Sequence, residues 1–182
     1  MQIRQAKVLD IESIKSLADA LVVKSGDSNK TTGFYDYSLT ESQYFNRITS
    51  PFFFVVESQG GLEGFCMAYD SEFLRKLTKK ESGLMEDAIL KYLFELNPLW
   101  VYIDQLAVRK PGTVTGSLAV YNLGNNVIDE TIKARIPSLL CAIVHKPWEN
   151  ISALKIVRKY GFELQQEVNS KEILLGIYKL AL

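Results

Sequence analysis

Apolar positions along the chain alternate between a period of two and a period of 3.6, and each change marks an element. Ile3 to Ala6 predicts a short first strand, after which Asp10 stands where a helix N-cap belongs. Ile11, Ile14, Leu17, Ala18 and Leu21 keep helical spacing until the pattern fades at Ser25-Gly26. Residues 26–38 are polar and glycine-containing but carry Phe34, Tyr35 and Tyr37, and Thr40 then caps a short helix toward Ile48. Phe52 to Glu57 and Leu62 to Tyr69 are rich in aromatic and β-branched residues and flank Ser58-Gln59-Gly60-Gly61, so they predict a hairpin.

Residues 71–97 interrupt the strand pattern with one or two helices, Phe73 to Lys79 and Gly83 to Leu96, the second stopped by Pro98. Trp100 to Val108 is a strongly apolar strand in which alternation puts Tyr102, Asp104 and Leu106 on one face. After a loop over 109–115, Leu118, Val120, Leu123, Val127 and Ile132 predict the buried face of a long helix, weakened by Gly124. Ser138 to His145 reads as a buried strand, and Ile151, Leu154, Val157 and Tyr160 as one face of a helix. Gly161 stands where a helix C-terminus favours positive φ. Phe162 to Val168 and Ile173 to Leu180 close a hairpin around Asn169-Ser170. The order β-α-α-β-β-(αα)-β-α-β-α-β-β predicts one α/β domain over 1–182. Its mixed central sheet has about seven strands flanked by helices, with a helical insertion at 71–97.

Lys plus Arg and Asp plus Glu both number 21, so the formal charge is zero and nucleic acid, which attracts a basic excess, is not an expected partner. The basic run Arg75-Lys76-Leu77-Thr78-Lys79-Lys80 reads as a solvated helix face. Cys66 and Cys141 lie in apolar stretches without metal or redox spacing, which predicts buried free thiols in a reducing compartment. The single His145 has no second ligand at a useful spacing, so no metal site is expected. Met1-Gln2-Ile3-Arg4 opens without a leader pattern, and no apolar run approaches the roughly 20 residues that span a bilayer. The expectation is a cytoplasmic protein without membrane association.

The stretch from Trp100 to Thr131 carries the most chemistry. A buried strand runs into Arg109-Lys110-Pro111-Gly112-Thr113-Val114-Thr115-Gly116-Ser117 and then into a helix. Backbone N–H groups at that helix start favour a pyrophosphate, Gly112 and Gly116 allow close approach, and Thr113, Thr115 and Ser117 add hydroxyl donors. Downstream, Asn150 and Ala153 precede Gly161-Phe162. In this order and spacing the chain resembles the GNAT superfamily of acetyl-coenzyme A-dependent N-acetyltransferases over essentially its whole length. In that family a strand ending in an apolar-x-Val step leads to a Gln/Arg-x-x-Gly-x-Gly/Ala loop. An Asn-x-x-Ala-x-x-x-Tyr helix and a Gly-Phe step follow.

The resemblance implies an acyl-coenzyme A-dependent N-acyltransferase, with acetyl-coenzyme A as co-substrate and an amine of a small molecule or protein as acceptor. It assigns the donor to Leu106, Ala107 and Val108, to Thr113, Val114, Thr115, Gly116 and Ser117, and to Asn150. Asp104, an acid within an apolar strand, is the candidate general base. The tyrosine that protonates the departing thiolate in the family corresponds to Val157 here, so Tyr160, one turn further on, is the candidate substitute. Phe34 and Tyr35, with Tyr102 and His145, are the candidate acceptor contacts, and the insertion at 71–97 either shapes the acceptor site or forms a homodimer surface. Thr113 stands at the Gln/Arg position and Leu118 at the Gly/Ala position of the loop, departures that bear on donor affinity. A second class therefore stays open, a non-catalytic GNAT-like domain that binds coenzyme A, another ligand or a protein.

Overall fold

A computed structural model describes residues 1–24, 32–35, 37–81, 83–96, 99–170 and 172–182. In chain order its elements are β1 (Gln2–Gln5), α1 (Ile11–Ala20), β2 (Val22–Val23), β3 (Phe34–Tyr35), α2 (Glu41–Arg47), β4 (Phe53–Ser58) and β5 (Gly61–Asp70). The insertion supplies α3 (Ser71–Lys80) and α4 (Ala88–Glu95). The chain then continues through β6 (Val101–Val108), α5 (Val114–Lys133), β7 (Ser138–Lys146), α6 (Ile151–Lys159), β8 (Glu163–Ser170) and β9 (Ile173–Ala181). The described residues form a seven-stranded mixed sheet in the order β1-β4-β5-β6-β7-β9-β8, parallel at β6–β7 and antiparallel at the other junctions. No helix among the described residues is long and apolar enough to cross a membrane.

Helices cover both faces of the sheet. On one face Ile14, Leu17, Tyr44, Leu74 and Leu93 of α1–α4 pack on Phe53, Phe65, Tyr69 and Trp100. On the other, Ala119, Leu123, Val127, Leu154 and Val157 of α5 and α6 pack on Val56, Cys66, Val101, Val108 and Leu139. Each fully buried Leu, Val or Phe contributes about 1.5–3 kcal/mol from burial, so these two layers hold the fold together.

Several elements differ from the sequence pattern for physical reasons. Asp10 does not cap α1: its carboxylate accepts both Nη groups of Arg4 (2.7 and 2.8 Å) and the Lys7 N–H (2.8 Å), tying the first turn to β1. Helix α1 ends at Ala20, because Val22 and Val23 pair in parallel with Phe34 and Tyr35. The predicted fade at Ser25-Gly26 and most of the 26–38 loop lie outside the described residues. The second insertion helix begins at Ala88, where Asp87 interrupts the pattern by capping the Ile89 and Leu90 N–H groups (2.8 and 3.1 Å). In α5 the buried face is Gly116, Ala119, Leu123, Gly124, Val127 and Thr131, whereas Leu118 and Ile132 are exposed. Gly116 and Gly124 give room to Lys110 of the preceding loop and to Tyr160, and small residues carry little hydrophobic signal. The closing hairpin turns after Ser170 rather than at Asn169-Ser170.

Other local rules hold. Thr40 and Gln43 form a reciprocal capping box at the start of α2 (3.3 and 2.9 Å). Gly161, at φ +82°, ends α6, with the Phe162 N–H donating to Val157 O (3.0 Å) and its own N–H to Arg158 O (3.1 Å).

The feature that positions a site is the parallel junction. Val101, Tyr102 and Ile103 pair with Leu139, Leu140 and Cys141, and among the described residues no ladder joins 104–108 to 142–146. The two strands therefore part into a V, with α1–α4 on one side and α5–α6 on the other.

Candidate active site

A bulge sets the chemistry on the β6 arm of the V. Met67 pairs with Gln105 but Ala68 pairs with Ile103, so Asp104 is the extra residue and the alternation shifts by one. Asp104 and Gln105 thus both face α1–α4, and Leu106 faces α5 instead of sharing the Asp104 face as alternation predicted. Tyr102 stays on the Asp104 side, 5% exposed.

Asp104 is half-buried and accepts the Tyr69 hydroxyl at 2.8 Å, and the Tyr37 hydroxyl at 3.1 and 3.2 Å to its two oxygens. Burial raises its carboxyl above the ordinary carboxylate range, outweighing the opposing pull of the Arg47 charge and the two phenols. Burial and the nearby Asp104 charge push the Tyr69 and Tyr102 hydroxyls well above the ordinary phenol value, so the Tyr69 hydroxyl stays protonated as the donor to Asp104. Tyr44 donates to Gln105 Oε1 (2.8 Å), and Gln105 Nε2 is buried without a partner among the described residues. Arg47, 2% exposed, forks onto both Glu81 oxygens (2.6 and 2.9 Å) and donates to Gln43 O (2.9 Å). Tyr44, Arg47, Tyr69 and Gln105 were not among the candidates from sequence. The one signal for them is polar or hydroxylated side chains recurring on strands and helix faces that otherwise read as apolar or solvated.

On the other side, the α5 N-terminus is built differently from the predicted donor loop. The Thr113 hydroxyl accepts the Gly116 N–H (3.1 Å) and donates to Lys110 O (2.8 Å), so both of its hydrogen-bonding roles are filled within the loop. A Cβ on Gly116 would fall 2.0 Å from Lys110 O, so it is the loop's own backbone that approaches closely. Val114 and Thr115 are left as the N–H groups that helix geometry orphans at this end. Both residues are exposed, with Ser117 beside them and Leu118 48% exposed one position on. Leu106, Ala107 and Val108 form the β6 arm leading to this loop. This end offers an anion two backbone N–H groups and the Thr115 and Ser117 hydroxyls, a smaller set of donors than the family's loop implies. Gly116→Ala is expected to displace the loop, lower the melting temperature and weaken acetyl-coenzyme A binding at least tenfold by calorimetry. An unchanged melt and affinity would show that Lys110 does not pack there.

Asn150 is fully engaged. Its Oδ1 accepts the Ala153 N–H as the α6 cap (3.0 Å), and its Nδ2 donates to Gly33 O (3.0 Å). Tyr35 stacks on Trp148 (6.2 Å between centroids, 15° between planes), and Phe34 packs against the core. The 33–35 segment is thereby held on the β7–α6 connection, while Tyr37 reaches Asp104 on β6. Together they link the two arms of the V.

Two candidates lie elsewhere. His145 is on the α5–α6 face, where Nδ1 donates to Glu167 (2.7 Å) and Nε2 meets the Tyr178 hydroxyl (3.0 Å). A bulge at the end of β7 and the space over Gly176, whose Cβ would fall 2.4 Å from the ring, turn it away from Asp104. Tyr160 donates to Tyr121 O (3.1 Å) and lies over Gly124, where a Cβ would come within 2.8 Å of the hydroxyl. Gly124 is therefore the seat that joins α6 to α5, and Tyr160 is a packing residue of that joint. Val157 is 8% exposed in the core beneath it. Among the described residues no group of three His, Cys, Asp or Glu side chains is arranged to hold a metal ion.

No protein-family model matches the sequence, and no curated protein is detectably similar to it. Solved structures are similar along the entire chain. Ard1 from Thermoplasma volcanium superposes with a TM-score of 0.68 at 14% identity, over 99% of this chain and 96% of that one. The ribosomal-protein-S18-alanine N-acetyltransferase of Escherichia coli gives 0.65 at 11% identity over 99% and 92%. Naa50 of Arabidopsis thaliana, in complex with the bisubstrate analogue CoA-Ac-MVNAL, gives 0.65 at 16% identity over 100% and 98%. The sheet order, the parted β6–β7 strands and these superpositions agree: the chain has the fold of the GNAT N-acetyltransferases.

Proposed function

We propose that the protein transfers an acyl group, acetyl in the simplest case, from acyl-coenzyme A to an amine. The observation that carries this reading is the parting of β6 and β7 with a basic carboxylate, Asp104, on one side of the opening and a helix N-terminus on the other. That the Arabidopsis relative is described with a coenzyme A–peptide conjugate supports donor and acceptor meeting in one such opening.

In this reading the acceptor arrives as an ammonium on the α1–α4 side and loses a proton to Asp104. A carboxyl raised by burial is a better base near neutral pH than an ordinary one. The neutral nitrogen attacks the thioester carbonyl, the C–N bond forms, the C–S bond breaks, and coenzyme A leaves as thiolate. The second amine proton passes to solvent or to that thiolate. The β6 backbone beyond Ile103, without a β7 partner, offers N–H donors to the oxyanion. With Val157 apolar and the Tyr160 hydroxyl held by Tyr121, no side chain of α6 is assigned as the acid for the thiolate.

The self-capped α5 start favours a second reading, a domain that binds without turnover. Calorimetric titration with acetyl-coenzyme A, followed by an acetylation assay on an amine panel, separates the two. Micromolar binding with transfer supports the enzyme, binding without transfer supports the second reading, and no binding at millimolar ligand overturns both donor assignments.

A further inference from the structure

We infer that Tyr37 is a removable cover on Asp104: its hydroxyl occupies the carboxylate in the free protein and gives way to the ammonium group of the acceptor. The exchange rests on the acyl-transfer reading, whereas the cover belongs to the free protein and is tested without it.

The geometry separates two phenols that bind the same carboxylate. Tyr69 donates to Oδ2 alone at 2.8 Å, is 1% exposed, and is stacked on Phe73 (5.7 Å, 10°). Tyr37 stands across both oxygens, 3.2 Å from Oδ1 and 3.1 Å from Oδ2, so its one proton is shared between two longer contacts. Its residue is 37% exposed and belongs to neither a helix nor a strand. Tyr69 is therefore the fixed support of the carboxylate, and Tyr37 is the contact that leaves.

The anchors on either side allow that departure without loosening the fold. Before it, Phe34 and Tyr35 pair with Val22 and Val23, and the Gly33 carbonyl accepts Asn150 Nδ2 (3.0 Å). After it, the Ser38 hydroxyl donates to Asp19 (2.9 Å), and Leu39 is buried. A rotation of one side chain between these points uncovers Asp104.

An ammonium group favours the exchange. Burial, with the Asp104 charge adding to it, holds the Tyr37 hydroxyl well above the ordinary phenol value, so Tyr37 stays a neutral donor. An ammonium brings charged N–H donors, whose bonds to a carboxylate are roughly twice as strong as neutral ones. After the exchange the ammonium proton passes to Asp104, and Tyr37 keeps its own. The other groups acting on this carboxylate are Tyr69 of β5, Tyr102 of β6, Tyr44 and Arg47 of α2, and the Asp87 charge ahead of α4. None of them spans both oxygens.

The test uses Tyr37→Phe, which removes the hydroxyl and keeps the ring. That hydroxyl helps hold Asp104 ionised against burial, so its loss raises the carboxyl further. Carbon-13 NMR titration of the Asp104 carboxyl in the free protein is expected to place the midpoint at higher pH in the variant. Acetyl transfer is then followed with the amine of the panel that turns over fastest. The rising limb of kcat/KM, which reports the free protein, is expected to move to higher pH, while the limb of kcat, which reports the complex, stays in place. Above both limbs the variant's KM for that amine should fall by about tenfold, the lower end of what a hydrogen bond to a charged group contributes. Tyr69→Phe, by contrast, is expected to move both limbs. An unmoved NMR midpoint in Tyr37→Phe, or a kcat limb that moves together with the kcat/KM limb, overturns the inference. A moved midpoint in a protein that acetylates no amine of the panel supports the cover and overturns the acyl-transfer reading instead.

Discussion

Asp104→Asn is expected to lower turnover by about 10²- to 10³-fold, within the range general-base catalysis supplies, and to leave acetyl-coenzyme A affinity unchanged. The side chain keeps its shape, and its Oδ1 still accepts the Tyr69 hydroxyl, so the loss reports the missing base. Turnover in the unmodified protein should climb with pH as Asp104 ionises, and the variant should lack that rise. Stability should move the other way. Because burial raises this carboxyl in the folded state, ionising it opposes folding, and the cost grows as pH rises from the ordinary value of 3.8 through the raised one. At pH 7 the Asn variant should therefore melt at or above the unmodified protein, and the difference should close below pH 3.8. A variant with turnover within twofold of the parent across this range would remove Asp104 from the mechanism.

The surroundings of Asp104 were hard to read from sequence for a different reason than its own residue type. The strands and helices were legible because their apolar periods are local, and so were the Thr40 and Gly161 caps. Pairing is not local. The bulge that puts Asp104 and Gln105 on one face depends on β5, and no feature of Tyr102-Ile103-Asp104-Gln105-Leu106 announces it. His145 was assigned to the opening because it ends a strand, but Gly176 and Glu167, on two other strands, decide where it turns. The face of α5 was misread because Gly116, Gly124 and Thr131 lie inside while Leu118 and Ile132 lie outside. Thr113, read as a hydroxyl donor toward a bound anion, is a helix cap, a role equally written in its residue type. Arg47 is the extreme case: a cation in the last turn of a short helix reads as solvent-facing, and it is 2% exposed.

Arg47→Ala is expected to be the most destabilising single change named here, by about 3–5 kcal/mol, because it strands Glu81 in a site where its side chain is 12% exposed. For a chain of this length that is a fall in melting temperature on the order of 10 °C. The pair is also acid-sensitive. Burial pushes the Glu81 carboxyl up, but hydrogen bonds from Arg47 and Asn46 outweigh it and hold the carboxyl below its ordinary 4.5, so the contribution is present above 4.5 and lost as pH falls toward the depressed value. Removing both charges is a different experiment from removing one. Arg47→Met with Glu81→Met should recover most of the stability, since two apolar side chains replace a desolvated ion pair of similar volume. Catalysis separates the roles further. The Arg47 charge pulls the Asp104 carboxyl down against burial, so its loss should move the alkaline-rising limb of the pH–rate profile to higher pH even in the stable double variant. A double variant that regains stability and keeps the parent profile would confine Arg47 to joining α2 with the end of α3. A shifted profile would make it the residue that sets how basic Asp104 is.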